Sequence, residues 1–206
     1  GYLGRYYDVM STDSRASSQN LSNFRFLDIL KIEQIKDVLS YFNPDTILHL
    51  AGVKDLNFCE TKRDDTYNIN VIGTKNLVDA CYASKCRMIF LSTDYVFDGE
   101  KGMYREEDPV NPRTYYGITK LGAENLIKDR LKNYVIIRTG GVFGSYNNAI
   151  SPLFSWLIEN LKAGKTVDAY IDVYNTPTSL ELLGDAMRNV IKIENTGLFH
   201  VAGHER

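Results

Sequence analysis

The sequence predicts an α/β fold, a doubly wound parallel sheet with helices on both faces. Three observations carry this. Short continuous apolar runs recur at Thr46 to Leu50, Met88 to Leu91 and Tyr134 to Arg138, longer stretches of helical period separate them, and the connectors are short. Strands that are apolar at every position bury both faces, and a parallel sheet between two helical layers does this.

The elements follow in order. Gly1-Tyr2-Leu3-Gly4 reads as the tail of a glycine-rich turn between a strand and a helix, yet no strand precedes it, and Arg5 to Tyr7 is too short for the roughly ten residues of a crossover helix. The expectation is that a first strand before Gly1, part of a first helix after Arg5 and a segment after Arg206 are missing from this chain. Asp8 to Thr12 and Arg25 to Asp28 read as strands. Lys31 to Phe42 is an amphipathic helix with Ile32, Ile35, Val38, Leu39 and Phe42 on one face, stopped by Asn43-Pro44-Asp45. After the strand at Thr46 to Leu50 comes a long helix, roughly Asp64 to Ala83, and then the strand Met88 to Leu91. Tyr115 to Leu131 is helical, Tyr134 to Arg138 a strand, Ser151 to Ala163 and Leu180 to Ile193 helices, and Leu198 to Val201 strand-like. Residues 1–145 are expected to form the main domain, 146–179 a small lobe, and 180–206 a helix and strand returning to one or the other.

Composition narrows the function classes. A chain of 206 residues with 44% hydrophobic content can bury a core of its own. The net charge of −2 and pI of about 6.0 give no electrostatic reason to expect nucleic acid or an anionic membrane as partner. Cys59, Cys81 and Cys86 are too few and too irregular for a disulfide framework and read as reduced, packed thiols. No stretch has metal-ligand spacing, so no metal is expected. No apolar run nears the roughly 20 residues of a membrane span, and a cytoplasmic protein is expected.

In open α/β sheets ligands bind beyond the carboxyl ends of the strands. Polar or glycine clusters collect there. Gly1 and Gly4 would let a pyrophosphate approach backbone at a helix N-terminus. Asp13 closes the second expected strand, where a carboxylate accepts from a ribose hydroxyl, while Ser14 and Arg15 beside it suit a 2′-phosphate. Asp28 either reaches an adenine amine or caps the next helix. Leu50-Ala51-Gly52 ends a strand in small residues. His49 points the other way and reads as a satisfied core histidine. Further on stand Ser92-Thr93-Asp94 and Arg138-Thr139-Gly140-Gly141-Val142-Phe143-Gly144. Tyr116 and Lys120, four residues apart on one helical face, bring a phenol and an ammonium together. With 14 Tyr in the chain, roughly one such spacing arises by chance, so the strand-end context gives the pair its weight.

These residues resemble the extended short-chain dehydrogenase/reductases and, within them, the dTDP-4-dehydrorhamnose reductases. The matching pieces are G-Y-L-G, Asn68 to Leu77, S-T-D-Y-V-F-D-G from Ser92, E-E-D-P from Glu106, Y-Y-G-I-T-K-L-G-A-E from Tyr115, R-T-G-G-V-F-G from Arg138 and P-T-S from Pro177. The resemblance implies a Rossmann-type NAD(P)-binding domain with a small C-terminal substrate lobe, and a nucleotide-linked 4-keto sugar as substrate. Sugar-nucleotide 4,6-dehydratases are similar but place an Asp-Glu pair after the Thr. Here Asp94-Tyr95 stands instead, which favours reduction.

What the resemblance implies for roles is specific. Tyr116 protonates the keto oxygen, Lys120 lowers the phenol's pKa and holds the nicotinamide ribose, and Thr93 polarises the carbonyl. The cofactor, NADP or NAD, is implied to meet Gly1, Tyr2, Leu3, Gly4, Asp13, Arg15, Asp28, Ile29, Leu50, Ala51, Gly52, Ser92, Thr139 and Val142, with Asn70 helping to position the lysine. The sugar side would be Asp94, Tyr95, Val96, Phe97, Gly141, Phe143 and Asn147, with Asn148, Asp172 and Thr178 nearby. Relatives also imply a homodimer through the two long helices. An NAD-dependent sugar-nucleotide epimerase and a non-catalytic NADP-binding subunit, resembling that of methionine adenosyltransferase, are the alternative readings.

Overall fold

Two three-residue strands, β1 (Ser11–Asp13) and β2 (Phe24–Phe26), open the chain as a parallel pair in the computed structural model, which describes residues 2–15, 23–146, 149–150, 152–168 and 174–204. The main sheet is assembled from β3 (Thr46–His49), β4 (Arg87–Thr93), β5 (Tyr134–Thr139) and, from the far end of the chain, β10 (Gly197–His200). All its pairs are parallel and the spatial order is β10-β5-β4-β3. Among the described residues no ladder joins β1 and β2 to β3, so the sheet is two parallel pieces where the apolar pattern predicts one. The β2 end is nevertheless fixed, because Leu27 is buried in the same core as Ile35 and Leu77.

Alternation along the central strands explains the two covered faces. Met88, Phe90 and Ile136 point to a core shared with α1 (Ile32–Phe42), α4 (Gly73–Ser84) and α5 (Tyr115–Arg130). Ile89, Val135 and Ile137 point the other way, onto Leu183, Met187 and Val190 of α7 (Leu180–Lys192). Each such aliphatic side chain contributes about 1.5–3 kcal/mol by leaving water. The α/β prediction of helices on both faces therefore holds, and β10 and α7 bring the C-terminal stretch back onto the main sheet.

The long helix expected from Asp64 is broken in a way the period does not reveal. A six-residue helix, α2 (Leu56–Thr61), precedes α3 (Arg63–Tyr67), and a π-helical turn, Asn68–Ile72, joins α3 to α4. Short strands complete the chain: β6 (Val142–Phe143) pairs with β9 (Thr178–Ser179), and β7 (Ser145–Tyr146) forms a hairpin with β8 (Ala149–Ile150). In the chain α6 (Pro152–Lys162) follows β8 and precedes β9. Among the described residues no helix is long and apolar enough to cross a membrane.

Candidate active site

The carboxyl ends of β1, β3, β4 and β5 open onto one elongated cleft of about 1180 Å³. At one end are Asp13, Ser14 and Arg15 after β1, with Asp28 and Ile29 after β2. Leu50, Ala51 and Gly52 follow β3 in the middle. At the other end Ser92, Thr93, Asp94 and Tyr95 meet Tyr116, Lys120, Thr139, Gly141 and Val142.

Local chemistry fixes the helix that carries Tyr116. Thr114 caps α5 by accepting from Gly117 N at 3.1 Å, and Glu60 of α2 accepts from Tyr115 N at 2.7 Å, so two of the free N–H groups of the first turn are satisfied. Gly117 is needed at this turn because any Cβ would collide with the Tyr95 carbonyl and stand 3.0 Å from Pro112. The helix can therefore press against the 3₁₀ turn Asp94–Val96 that follows β4, and the Tyr116 and Tyr95 rings meet edge to face with centroids 5.7 Å apart.

Thr93 is the hub. Its hydroxyl accepts from Tyr95 N at 3.2 Å, donates to Asp94 Oδ1 at 3.1 Å and lies within hydrogen-bonding reach of the Tyr116 phenol. Burial pushes that phenol up to about 12; the Thr93 hydrogen bond opposes the rise and the Asp94 charge adds to it. Burial likewise raises the Asp94 carboxyl, with the Thr93 hydrogen bond opposing.

The lowered phenol pKa expected from a neighbouring ammonium is not what this geometry gives. Lys120 Nζ turns to the Leu91 carbonyl at 2.7 Å and lies 3.9 Å from the centre of the Phe90 ring. Burial brings the Lys120 ammonium down to about 7, with the Glu124 charge holding it up.

Behind the site is a buried ion pair. Glu124, one turn after Lys120, accepts from Arg138 Nε at 2.9 Å and Nη2 at 2.7 Å, and from Ser92 Oγ at 2.6 Å. Burial alone would raise the Glu124 carboxyl, but Arg138 and Ser92 together bring it below the usual value. The pair ties α5 to β4 and β5 just beneath Thr93.

Several other predicted residues have structural rather than cleft positions. Tyr2, Leu3 and Gly4 lie at a 3₁₀ turn docked on α7, where the Tyr2 phenol donates to Asp185 and its ring packs on Gly184; the space around Gly4 is open, and none of the three lines the cleft. Asn70 is buried in the π-helical turn and acts on the loop after β3, with Oδ1 accepting from Val53 N at 2.8 Å and Nδ2 donating to Val53 O at 3.0 Å and Thr119 Oγ1 at 3.1 Å. It touches the helix of Lys120 rather than Lys120 itself. Val96 and Phe97 are buried away from the cleft, with Phe97 stacked on Tyr104 at 4.3 Å, because the 3₁₀ turn rotates them inward. Phe143 is in β6 beside Ser179 and off the cleft wall. Asp28 is not the N-cap of α1; it closes its own turn by accepting from Leu30 N at 2.9 Å and remains on the cleft. Gly1, Asn147, Asn148 and Asp172 lie outside the described residues. His49 is a core histidine as expected, 2.9 Å from Thr74 Oγ1 and pushed down to about 3, chiefly by burial.

Sequence reasoning missed the supporting residues. Glu60, Gly117 and Glu124 appear in the sequence only as a helix acid, an inserted glycine and a charge in a helical run. Only the glycine directly after Tyr116 carried a signal, since a residue of low helix propensity in a first turn marks a close approach.

The fold and the Thr93, Tyr116 and Lys120 arrangement define a Rossmann-like α/β protein of the short-chain dehydrogenase/reductase kind. Residues 5–206 match the family described as the RmlD substrate binding domain, and the chain belongs to that family. A dTDP-4-dehydrorhamnose reductase of Aggregatibacter actinomycetemcomitans is 31% identical over 149 residues, covering 72% of this chain and 51% of the relative. The crystal structure of a hypothetical dTDP-4-dehydrorhamnose reductase from Sulfolobus tokodaii superposes with a TM-score of 0.83 at 33% identity, covering 98% of this chain and 70% of that one. A dTDP-4-dehydrorhamnose reductase from Bacillus anthracis in complex with NADP gives 0.81 at 27% identity, covering 89% and 68%. The chain spans 51% to 62% of the length of the first curated relatives it matches.

Proposed function

We propose that this chain carries the cofactor-binding and catalytic part of an NAD(P)H-dependent reductase of a nucleotide-linked 4-keto sugar, most simply dTDP-4-dehydrorhamnose going to dTDP-rhamnose. The observation that carries the reading is the convergence of Thr93, Tyr116 and Lys120 at one end of a cleft whose other end presents Asp13 and Arg15. Residues 1–145 would hold the dinucleotide, 146–179 would contribute to the sugar-nucleotide side, and 180–206 would close the main domain.

The cleft fits a dinucleotide in chemistry. Arg15 Nη2 bonds Asp13 Oδ2 at 2.8 Å, so a carboxylate suited to a ribose hydroxyl and a guanidinium suited to a 2′-phosphate stand together at the adenosine end. The mid-cleft wall is the small-residue backbone of Ala51 and Gly52, where a Cβ on Gly52 would sit 3.0 Å from Asn70 Oδ1. A reduced nicotinamide would supply the hydride. Tyr116, protonated at neutral pH, delivers its proton to the keto oxygen as negative charge develops there. Thr93 is within reach of the same oxygen and stabilises that charge. Lys120, one helical turn on, anchors α5 to β4 through the Leu91 carbonyl and would hold the nicotinamide ribose. Asp94 and Tyr95 form the wall that meets the sugar. Activity in the cytoplasm and pairing of two copies through α4 and α5 go with this reading.

The test uses the full-length protein with dTDP-4-dehydrorhamnose and NADH and NADPH in parallel. Tyr116→Phe should lower kcat by at least about 10³ while cofactor affinity stays within a few-fold. Turnover near the wild-type rate in that variant would refute the assignment, and retention of NAD with no net consumption of NADH would favour an epimerase.

A further inference from the structure

At the far end of α4 from the cleft, two thiols face each other. Cys81 lies in the last turn of the helix, and Cys86 directly precedes β4. Their Sγ atoms are 2.9 Å apart. Cys81 Sγ also donates to Cys86 O at 2.9 Å, while Ser84 Oγ lies 3.5 Å from Cys86 Sγ. Lys85 between them adopts a left-handed conformation, φ 59°, which folds the chain back so that the two sulfurs meet. A disulfide bond is about 2.05 Å long, so closing the gap takes a shift of about 1 Å. Nothing in the proposed reduction uses this pair.

We propose that Cys81 and Cys86 are a redox-active dithiol, which hydrogen peroxide oxidises to an intramolecular disulfide that staples the end of α4 to the start of β4. Cys86 reacts first. It is the more accessible of the two, 7% exposed against 0% for Cys81. Its thiolate attacks one peroxide oxygen, the O–O bond breaks, and the departing hydroxide takes a proton and leaves as water. Cys86 is then a sulfenic acid. The Cys81 thiol loses its proton, and its sulfur displaces the Cys86 hydroxyl as a second water. Two thiols and one peroxide become one disulfide and two waters, with two electrons passing from sulfur to oxygen. A thiol reductant reverses the step.

Peptide mapping of the peroxide-treated native chain tests this directly. Trypsin cuts after Lys75, Lys85 and Arg87, so the disulfide would hold the peptide from Asn76 to Lys85 to the dipeptide Cys86-Arg87, 2 Da below the sum of the two thiol peptides. The expected result is that this linked pair forms at least tenfold faster in the folded chain than in urea, while Cys59 stays a thiol and dithiothreitol releases the link. Failure of the pair to form, or formation no faster than in urea, would overturn the proposal. In Cys81→Ser the link cannot close, and Cys86 should accumulate as a sulfenic acid that dimedone captures. A Cys86 that takes no dimedone in that variant would equally overturn it.

Discussion

Lys120 donates to the carbonyl oxygen of Leu91 at 2.7 Å, two residues before Thr93 on the same strand. The ammonium is therefore anchored to the element that delivers the site's hydroxyl, and α5 is registered against β4 by a charged group. Holding that group in a buried position is costly. Below pH 7 the folded and unfolded chains both keep the proton, and the penalty is full. Between about 7 and the ordinary lysine value of 10.5 only the unfolded chain keeps it, so the penalty is relieved as pH rises. Lys120→Met should thus be more stable than the parent at pH 6 by on the order of a few kcal/mol, with the gap closing by pH 10, although turnover falls at least about 100-fold. Denaturant melts across pH 6–10 would measure it, and a gap independent of pH would contradict the assignment.

The Asp94 charge helps to hold the Tyr116 phenol above its ordinary value. In the proposed reduction the phenol must be protonated, so activity falls as pH rises through its pKa. Asp94→Asn should therefore move the alkaline limb of the kcat/KM profile down, by about one pH unit, and no movement would remove Asp94 from the electrostatics of the site.

Gly117→Ala places a methyl group against the Tyr95 carbonyl, with Pro112 closing the other side. Neither neighbour is a flexible side-chain end, so α5 must shift. A loss of about 2 kcal/mol in urea melts is expected, together with a fall in kcat larger than any rise in KM, since Tyr116 moves with the helix.

Glu124→Gln leaves Arg138 without its carboxylate in a buried site, a change that costs about 3–5 kcal/mol at pH 7. The carboxyl titrates below its ordinary value, so its contribution is present above about 4.5 and lost as pH falls through the folded value. The parent's stability should drop more steeply than the variant's below pH 4.5, and acid melts of the two would converge.

How much of this was legible in the sequence depends on the range over which each feature is decided. Runs such as Met88-Ile89-Phe90-Leu91 are decided locally by two-sided burial, and they read correctly as central strands. Tyr116 and Lys120 share a helical face by their spacing alone. The direction of the Lys120 ammonium is decided by a strand carbonyl 29 residues away in sequence, and the burial of Glu124 by Arg138 on another strand; neither leaves a local pattern. The six residues of α2 are too few to show a period. The glycine-rich start looked like a phosphate turn, but Tyr2 and Tyr7 have partners on α7, more than 180 residues along the chain.

The π-helical turn Asn68–Ile72 fits one more residue into its turn than an α-helix would, and Asn70 faces the loop after β3 because of it. Single-residue length changes are tolerated in surface loops, but here the count decides where Asn70 points. A one-residue deletion within this turn would let α3 and α4 fuse into one regular helix, and the wide turn that aims Asn70 at the loop after β3 would be lost. Val53 would lose both its bonds to the Asn70 side chain at once. An alignment gap falling within these five positions would therefore mark a homologue whose cleft is built differently in its middle, even where Thr93, Tyr116 and Lys120 are all retained.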